Sequence, residues 1–303
     1  MSADKKNAVK NDGENIVEND GSRGENAHEQ NVDQSGNKKS GNKRRAVYFC
    51  VIVALTAVIS VYEIWFDGWC ADKALAPSID AIVTRALGCV AAALFVNYLG
   101  YRVAGKSSAR GLLKALPCLI VALCNPPILS LIVKQSFLNV AGKTLVFYAV
   151  IFAVECVFVA LFEELLFRGA VFLALLENRR ENGKKIFFAG VISSAVFGLT
   201  HLVNLFSSAL GAVLLQVGYS FLLGGMCAFT LLCTKNIFCS AAVHAVFNFC
   251  GQLTERFGYG VWNTPAIMGF TVCLGVCAAA FIIIEFLRFT KADTECFYVL
   301  SAK

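Results

Sequence analysis

Residues Thr144–Glu177 read TLVFYAVIFAVECVFVALFEELLFRGAVFLALLE, one uninterrupted run carrying neither proline nor a polar cluster long enough to end a helix. A helix crosses the roughly 30 Å hydrocarbon core of a bilayer with about 20 apolar residues. This run is too long for one perpendicular crossing. It should therefore tilt, or continue as an interfacial helix past Gly169. Either way it reads as transmembrane, and it carries Glu163, Glu164 and Arg168 in its interior.

The surrounding chain agrees. Of 303 residues, 57% are hydrophobic and 16% charged, with a mean hydropathy of +0.64. A soluble domain is about 45–50% apolar and about 25% charged. Residues 1–45 are polar, mixed in charge and without periodicity, which predicts a disordered tail. The first apolar stretch begins near Ala46 and is followed by Asp67 and Asp72 rather than a small-residue cleavage site. Residues 46–66 therefore read as an anchor and not a cleaved leader.

Further spans are expected at 80–101, 115–133, 145–177, 186–203, 209–234, 237–250 and 265–287. The fold class is thus all-α, a polytopic membrane helical bundle of about eight helices over 46–290, flanked by tails at 1–45 and 291–303. Asn125-Pro126-Pro127 predicts a kink or break in the third span. The seventh is too short to stand alone in lipid and should be shielded by neighbours. With eight spans the basic groups Lys38–Arg45, Arg102–Lys114, Arg179–Lys185, Lys235 and Arg288–Lys291 all fall on one face. The positive-inside rule then places both termini in the cytoplasm, here of a bacterial cell. The net charge of +6 reports topology and not nucleic-acid binding. Most of the thirteen cysteines sit in apolar segments with no C-x-x-C pair, so they read as small hydrophobes.

Ionisable groups at the bilayer centre cost about 2.5–3.5 kcal/mol each on insertion scales, and default to function. Glu164 and Arg168 stand four apart and can pair along one helix face. Glu163 points about 100° away from Glu164 and can face a cavity. Glu155, eight residues earlier, could line the same cavity or pair with Arg85, while Glu63 and Glu285 near span ends can reach the interface. Two of the three histidines lie in apolar runs: His201 after Phe197, and His244 four residues before Asn248 on a shared face.

Together, Glu163-Glu164 with Arg168, Phe197 with His201, and His244 with Asn248 resemble the E-E-x-x-x-R, F-x-x-x-H and H-x-x-x-N motifs of the CPBP family. These are the CAAX proteases and bacteriocin-processing enzymes, also called the Abi family, and the likeness covers about 145–250. The resemblance implies a glutamate-dependent intramembrane endopeptidase acting on a membrane-associated peptide or protein. Glu163 and His201 would hold and deprotonate water, and His244 and Asn248 would receive the oxyanion. Glu164 would pair with Arg168 to aim Glu163; alternatively, Arg168 could grip a substrate carboxylate. No cofactor is expected. Two histidines and a glutamate also make a zinc set, but H-E-x-x-H is absent and the metal-free reading is favoured. Two other classes compete: a non-catalytic immunity or binding partner, and an ion-coupled transporter, against which stands the lack of paired Gly/Pro-interrupted segments.

Overall fold

The computed structural model describes residues 54, 75–134, 142–258 and 264–298. Apart from Ala54, the expected tail and first span lie outside these residues. Everything described is helical or connecting loop, with two isolated β-bridges and no strand among the described residues. Among the described residues five helical runs are long and apolar enough to cross a membrane, and the protein is an integral membrane helical bundle.

The first described helix, α1, spans Ala76–Tyr98 and begins on a proline, whose missing N–H costs nothing in the first turn. The second, α2 (Ala109–Leu123), is capped by Ser108, whose hydroxyl accepts from the Gly111 N–H at 3.0 Å. Where one span was expected over 115–133, α2 ends and α3 (Pro126–Lys134) restarts. Pro126 and Pro127 supply no N–H to continue the ladder, so the break foreseen at Asn125 is real.

The long run becomes α4 (Gly142–Glu164), a π-helical segment (Leu165–Phe172) and α5 (Leu173–Glu177) without interruption. Past Gly169 it does not lie free at an interface, because Ala170, Phe172, Leu173 and Leu176 are buried in the protein core. The wider π turn changes the azimuth of everything after Glu164. It also perturbs the carbonyl ladder, and the Ser193 hydroxyl donates to Phe167 O at 3.0 Å. Gly169 admits Val96 of α1, whose methyl would lie 2.9 Å from any Cβ there.

Helix α6 (Gly183–Thr200) continues into a 3-10 turn over His201–Phe206. It packs tightly on α7 (Leu210–Thr234), where a Cβ on Gly198 would meet Val217 O at 2.8 Å and one on Gly224 would meet Ser194 at 2.9 Å. Helix α8 (Ile237–Phe257) is longer than the expected 237–250 because it continues past its apolar stretch, which ends at Leu253. Its flanks are covered by α4, α3, α2 and α7, the shielding that the short apolar stretch required. Helix α9 (Pro265–Arg288) leads to a short α10 (Lys291–Thr294) closed by a Thr290–Asp293 capping box, and then a 3-10 turn over Glu295–Phe297.

One end of the bundle gathers most of the basic loops. Arg102 N–H donates to Phe297 O, Gly105 N–H to Lys235 O, and Ile237 N–H to Val103 O. Lys235, in the left-handed conformation at φ 58°, faces the rings of Phe289 and Phe297, and Arg180 lies 4.2 Å over the Tyr298 ring. Tyr298 stacks edge-on to Tyr101 and donates to Leu173 O at 3.0 Å. The loops carrying Arg102, Arg180 and Lys235 and the segment after Arg288 thus meet on one face, as their charge suggested. Glu285, near the end of α9, is buried and held by Lys114 at 2.7 Å and by Arg288.

Candidate active site

The long helix brings two adjacent glutamates to α8 in different environments. Glu164 is fully buried. Its Oε1 accepts from His244 Nδ1 at 2.9 Å and lies 3.2 Å from Arg168 Nη1, while its Oε2 accepts from the Ser240 hydroxyl at 2.6 Å. Glu163 keeps 19% side-chain exposure, and its Oε2 lies 3.4 Å from His244 Nε2. The two carboxylates therefore address opposite nitrogens of one imidazole. Because a carboxylate only accepts, the Nδ1 proton belongs on the Glu164 side.

Arg168 is fully enclosed. Its ion pair with Glu164 lacks hydrogen-bond alignment, and none of its three guanidinium nitrogens has a hydrogen-bond partner among the described residues. The guanidinium lies 4.5 Å over the Phe197 ring, an attraction that grows when both partners are desolvated. So closed in, Arg168 has no open face for a substrate carboxylate, and that alternative role is not supported by its position.

Phe197 joins the parts. Its ring also meets His244 edge-on at 5.6 Å, His201 edge-on at 5.1 Å, and Phe167 at 4.9 Å. His201 Nδ1 lies 3.1 Å from Phe197 O, one turn back on its own helix. Donation to that carbonyl puts the proton on Nδ1 and leaves Nε2 as the acceptor. Asn248 stands one turn beyond His244 on α8, half-buried, with no hydrogen-bond partner among the described residues.

Glu163, Glu164, Arg168 and His244 thus form one contiguous cluster. His201 adjoins it through the Phe197 ring and has no ion pair with Glu163. Asn248 flanks it with its amide unused. Sequence reasoning missed Ser240, though Ser240, His244 and Asn248 are spaced four apart and continue one row. It also gave Phe197 no task beyond marking a motif. Cys227, buried on α7 beside Ser240, carried no spacing signal. Glu155 pairs with Arg256 at 3.0 Å.

One group of three possible metal-ligating atoms occurs among the described residues: Glu164, Cys227 and His244, all within 4.8 Å of one another. This group holds one histidine and a cysteine, and is not the set of two histidines and a glutamate read from the sequence. It also fits a divalent ion poorly. Both Glu164 oxygens are engaged, and Arg168 already supplies a cation at 3.2 Å.

Residues 145–250 match the family model for type II CAAX prenyl endopeptidases, Rce1-like. The matched segment begins in α4 and ends in α8, enclosing every residue of the cluster, and is the segment that carried the motif resemblance. No curated protein and no solved structure matches the chain. At the level of the family, the match supports an intramembrane peptidase of the CAAX type, acting on a peptide or protein within the bilayer.

Proposed function

We propose that this protein is a metal-free endopeptidase in which Glu163 activates water and the α8 row receives the tetrahedral intermediate. The observation that carries the reading is the split between the paired glutamates: Glu164 is sealed and multiply bonded, whereas Glu163 is partly open and, among the described residues, paired only with His244.

Glu163, beside His244 and reached by solvent, is the group placed to take a proton from water. His201, with Nε2 as an acceptor, holds the second hydrogen of that water. Hydroxide adds to the scissile carbonyl carbon and the C=O pair moves to oxygen. His244, carrying a hydrogen on Nε2 as well as on Nδ1 in this scheme, donates from Nε2 to the oxyanion together with the Asn248 amide, a step where one preplaced donor is typically worth about 10²–10³ in rate. Collapse breaks the C–N bond, and the proton taken by Glu163 passes to the leaving amine. Glu164, Arg168 and Ser240 touch no reacting atom in this scheme. They hold His244 and the helix that aims Glu163. The basic end would face the cytoplasm.

The experiment is cleavage of membrane-associated peptides by purified protein, with Glu163→Ala and His244→Ala beside the wild type. Loss of cleavage in both is expected. Cleavage surviving either substitution overturns the assignment. Stoichiometric zinc whose removal abolishes turnover would overturn the metal-free part alone.

A further inference from the structure

The proposed chemistry leaves the break at Asn125-Pro126-Pro127 without a task, yet the side chain at that break reaches the helix that carries His244 and Asn248. Two prolines open α3, and the residue before a proline is pushed out of the helical conformation. Asn125 therefore stands outside both helices, buried between the end of α2 and the start of α3. Cys124 N–H still donates to Ile120 O at 2.9 Å, and Leu129 N–H donates to Asn125 O at 3.2 Å, so α2 closes behind the break and α3 opens ahead of it.

The Asn125 side chain points at α8. Its Nδ2 donates to Phe247 O at 3.2 Å, using the lone pair that the helix's own Gly251 N–H leaves free. Gly251 lies one turn further on the same face, and a Cβ there would come 2.9 Å from Nδ2. The helix thus offers the amide a carbonyl to bond and a position with no side chain to obstruct it. On the opposite flank Ala245, Phe249 and Phe257 pack with Phe152 and Cys156 of α4. Around the axis these two rows stand about 160° apart, and Asn248 falls about midway between them. His244 has Glu164 to aim it. Asn248, half-buried and with no hydrogen-bond partner among the described residues, is aimed only by where α8 holds its backbone.

We infer that Asn125 is a positioning residue: through Phe247, the residue before Asn248, it sets the height and rotation of α8 at which the Asn248 amide meets the oxyanion. It touches no reacting atom. The inference rests on the protease reading and adds to it a residue from outside the 145–250 segment that carries the family likeness. Apolar packing against α4 is non-directional and lets a helix slide or turn slightly. The bond from the break is directional, and it joins α8 one residue from the donor. Preplaced donors act through their placement, and a misplacement of about 1 Å caused at a distance can cost about 10²-fold in rate. Asparagine suits the task because the acceptor is a carbonyl, which needs a neutral N–H donor on a short stem.

The test is steady-state cleavage of a labelled S-prenylated peptide by the full chain in detergent, with turnover normalised to folded protein. Asn125→Ala, and Asn125→Leu, which keeps the volume and removes the donor, should each lower kcat about tenfold to a hundredfold with KM little changed. Gly251→Ala keeps the break and the amide but pushes them off α8, and should lower kcat in the same sense. In an Asn248→Ala background the effect of Asn125→Ala should shrink to under about twofold, because the group it positions is gone. A purely structural asparagine would lower the folded fraction and show no such coupling. Unchanged kcat in Asn125→Ala, a loss carried by KM, or a loss that multiplies in full with that of Asn248→Ala overturns the inference. Should Asn125→Ala fail to fold, Gly251→Ala, alone and with Asn248→Ala, decides by the same criteria. Wild type that leaves the peptide intact, or cleavage that survives Glu163→Ala, overturns the protease reading and this inference with it. Glu163-dependent cleavage indifferent to Asn125 and Gly251 overturns this inference alone.

Discussion

His244 Nδ1 lies 2.9 Å from Glu164 Oε1, so the buried member of the glutamate pair fixes the orientation of the histidine while the partly open member faces its other nitrogen. The two carboxylates should therefore fail differently. Glu164→Ala leaves Arg168 charged and enclosed with no counter-ion, and breaking a buried pair typically costs about 3–5 kcal/mol. Glu163→Gln removes no buried charge partner and should leave the melting temperature close to wild type while abolishing cleavage. Thermal unfolding in detergent, run beside the peptide assay, checks both; equal destabilisation by the two would contradict this division.

Ser240 is the third support of Glu164. Ser240→Ala strips the 2.6 Å donor from Oε2 and leaves a buried acceptor unmet, an effect of about 1–3 kcal/mol. The expected outcome is lower stability with cleavage per folded molecule only modestly reduced, read from unfolding midpoints and from turnover normalised to folded protein.

Phe197 should tolerate no truncation. Its buried ring lies under the Arg168 guanidinium and touches both histidines, so Phe197→Ala opens a cavity and removes the cation's only close aromatic face among the described residues. Large-to-small changes of this kind cost about 3–5 kcal/mol. Phe197→Tyr keeps the ring but must bury a hydroxyl, and Phe197→Leu fills most of the volume with no π face. Comparing Leu with Ala separates volume from ring: an equal loss for both would assign the cost to the cation–ring contact.

The bundle and much of the cluster were legible from residues alone for a physical reason. In a bilayer each ionisable group is an expensive exception, so Glu163, Glu164, Arg168 and His244 stood out, and spacing of four put partners on one face. What stayed hidden depends on azimuth between helices. The π turn at Leu165–Phe172 rotates the chain by an amount that no 3.6-residue count supplies. Pairing partners far apart in sequence were equally unreadable: Glu155 meets Arg256, and Glu285 meets Lys114. Ser240 was hidden differently, since a serine in an apolar helix draws no notice until a carboxylate is found beside it.

Asn248 carries the sharpest kinetic expectation. It touches no described hydrogen-bond partner in the resting structure, so Asn248→Ala should leave folding intact. If its amide meets only the developing oxyanion, kcat falls about 10²–10³-fold with KM little changed. Steady-state kinetics decide: a rise in KM at constant kcat would make Asn248 a ground-state binding residue.

The C-terminal clasp should loosen in acid. Asp293 is partly buried, which works to raise its pKa, but the backbone N–H and hydroxyl of Thr290, each 2.8 Å from its Oδ2, outweigh that and hold the carboxyl below its usual range. A depressed carboxyl contributes stability that is complete above its unfolded pKa, about 3.9, and disappears as pH falls through the lower folded value. The capping box closes the turn that carries Phe297 and Tyr298 onto Arg102, Lys235 and Leu173. Tryptic cleavage after Lys291 at neutral pH should therefore be slow in wild type and several-fold faster in Asp293→Asn. Hydrogen exchange of the 290–298 amides, corrected for intrinsic rates, should rise only below about pH 4 in wild type. Exchange that is already fast at neutral pH would show that the capping box does not hold the clasp.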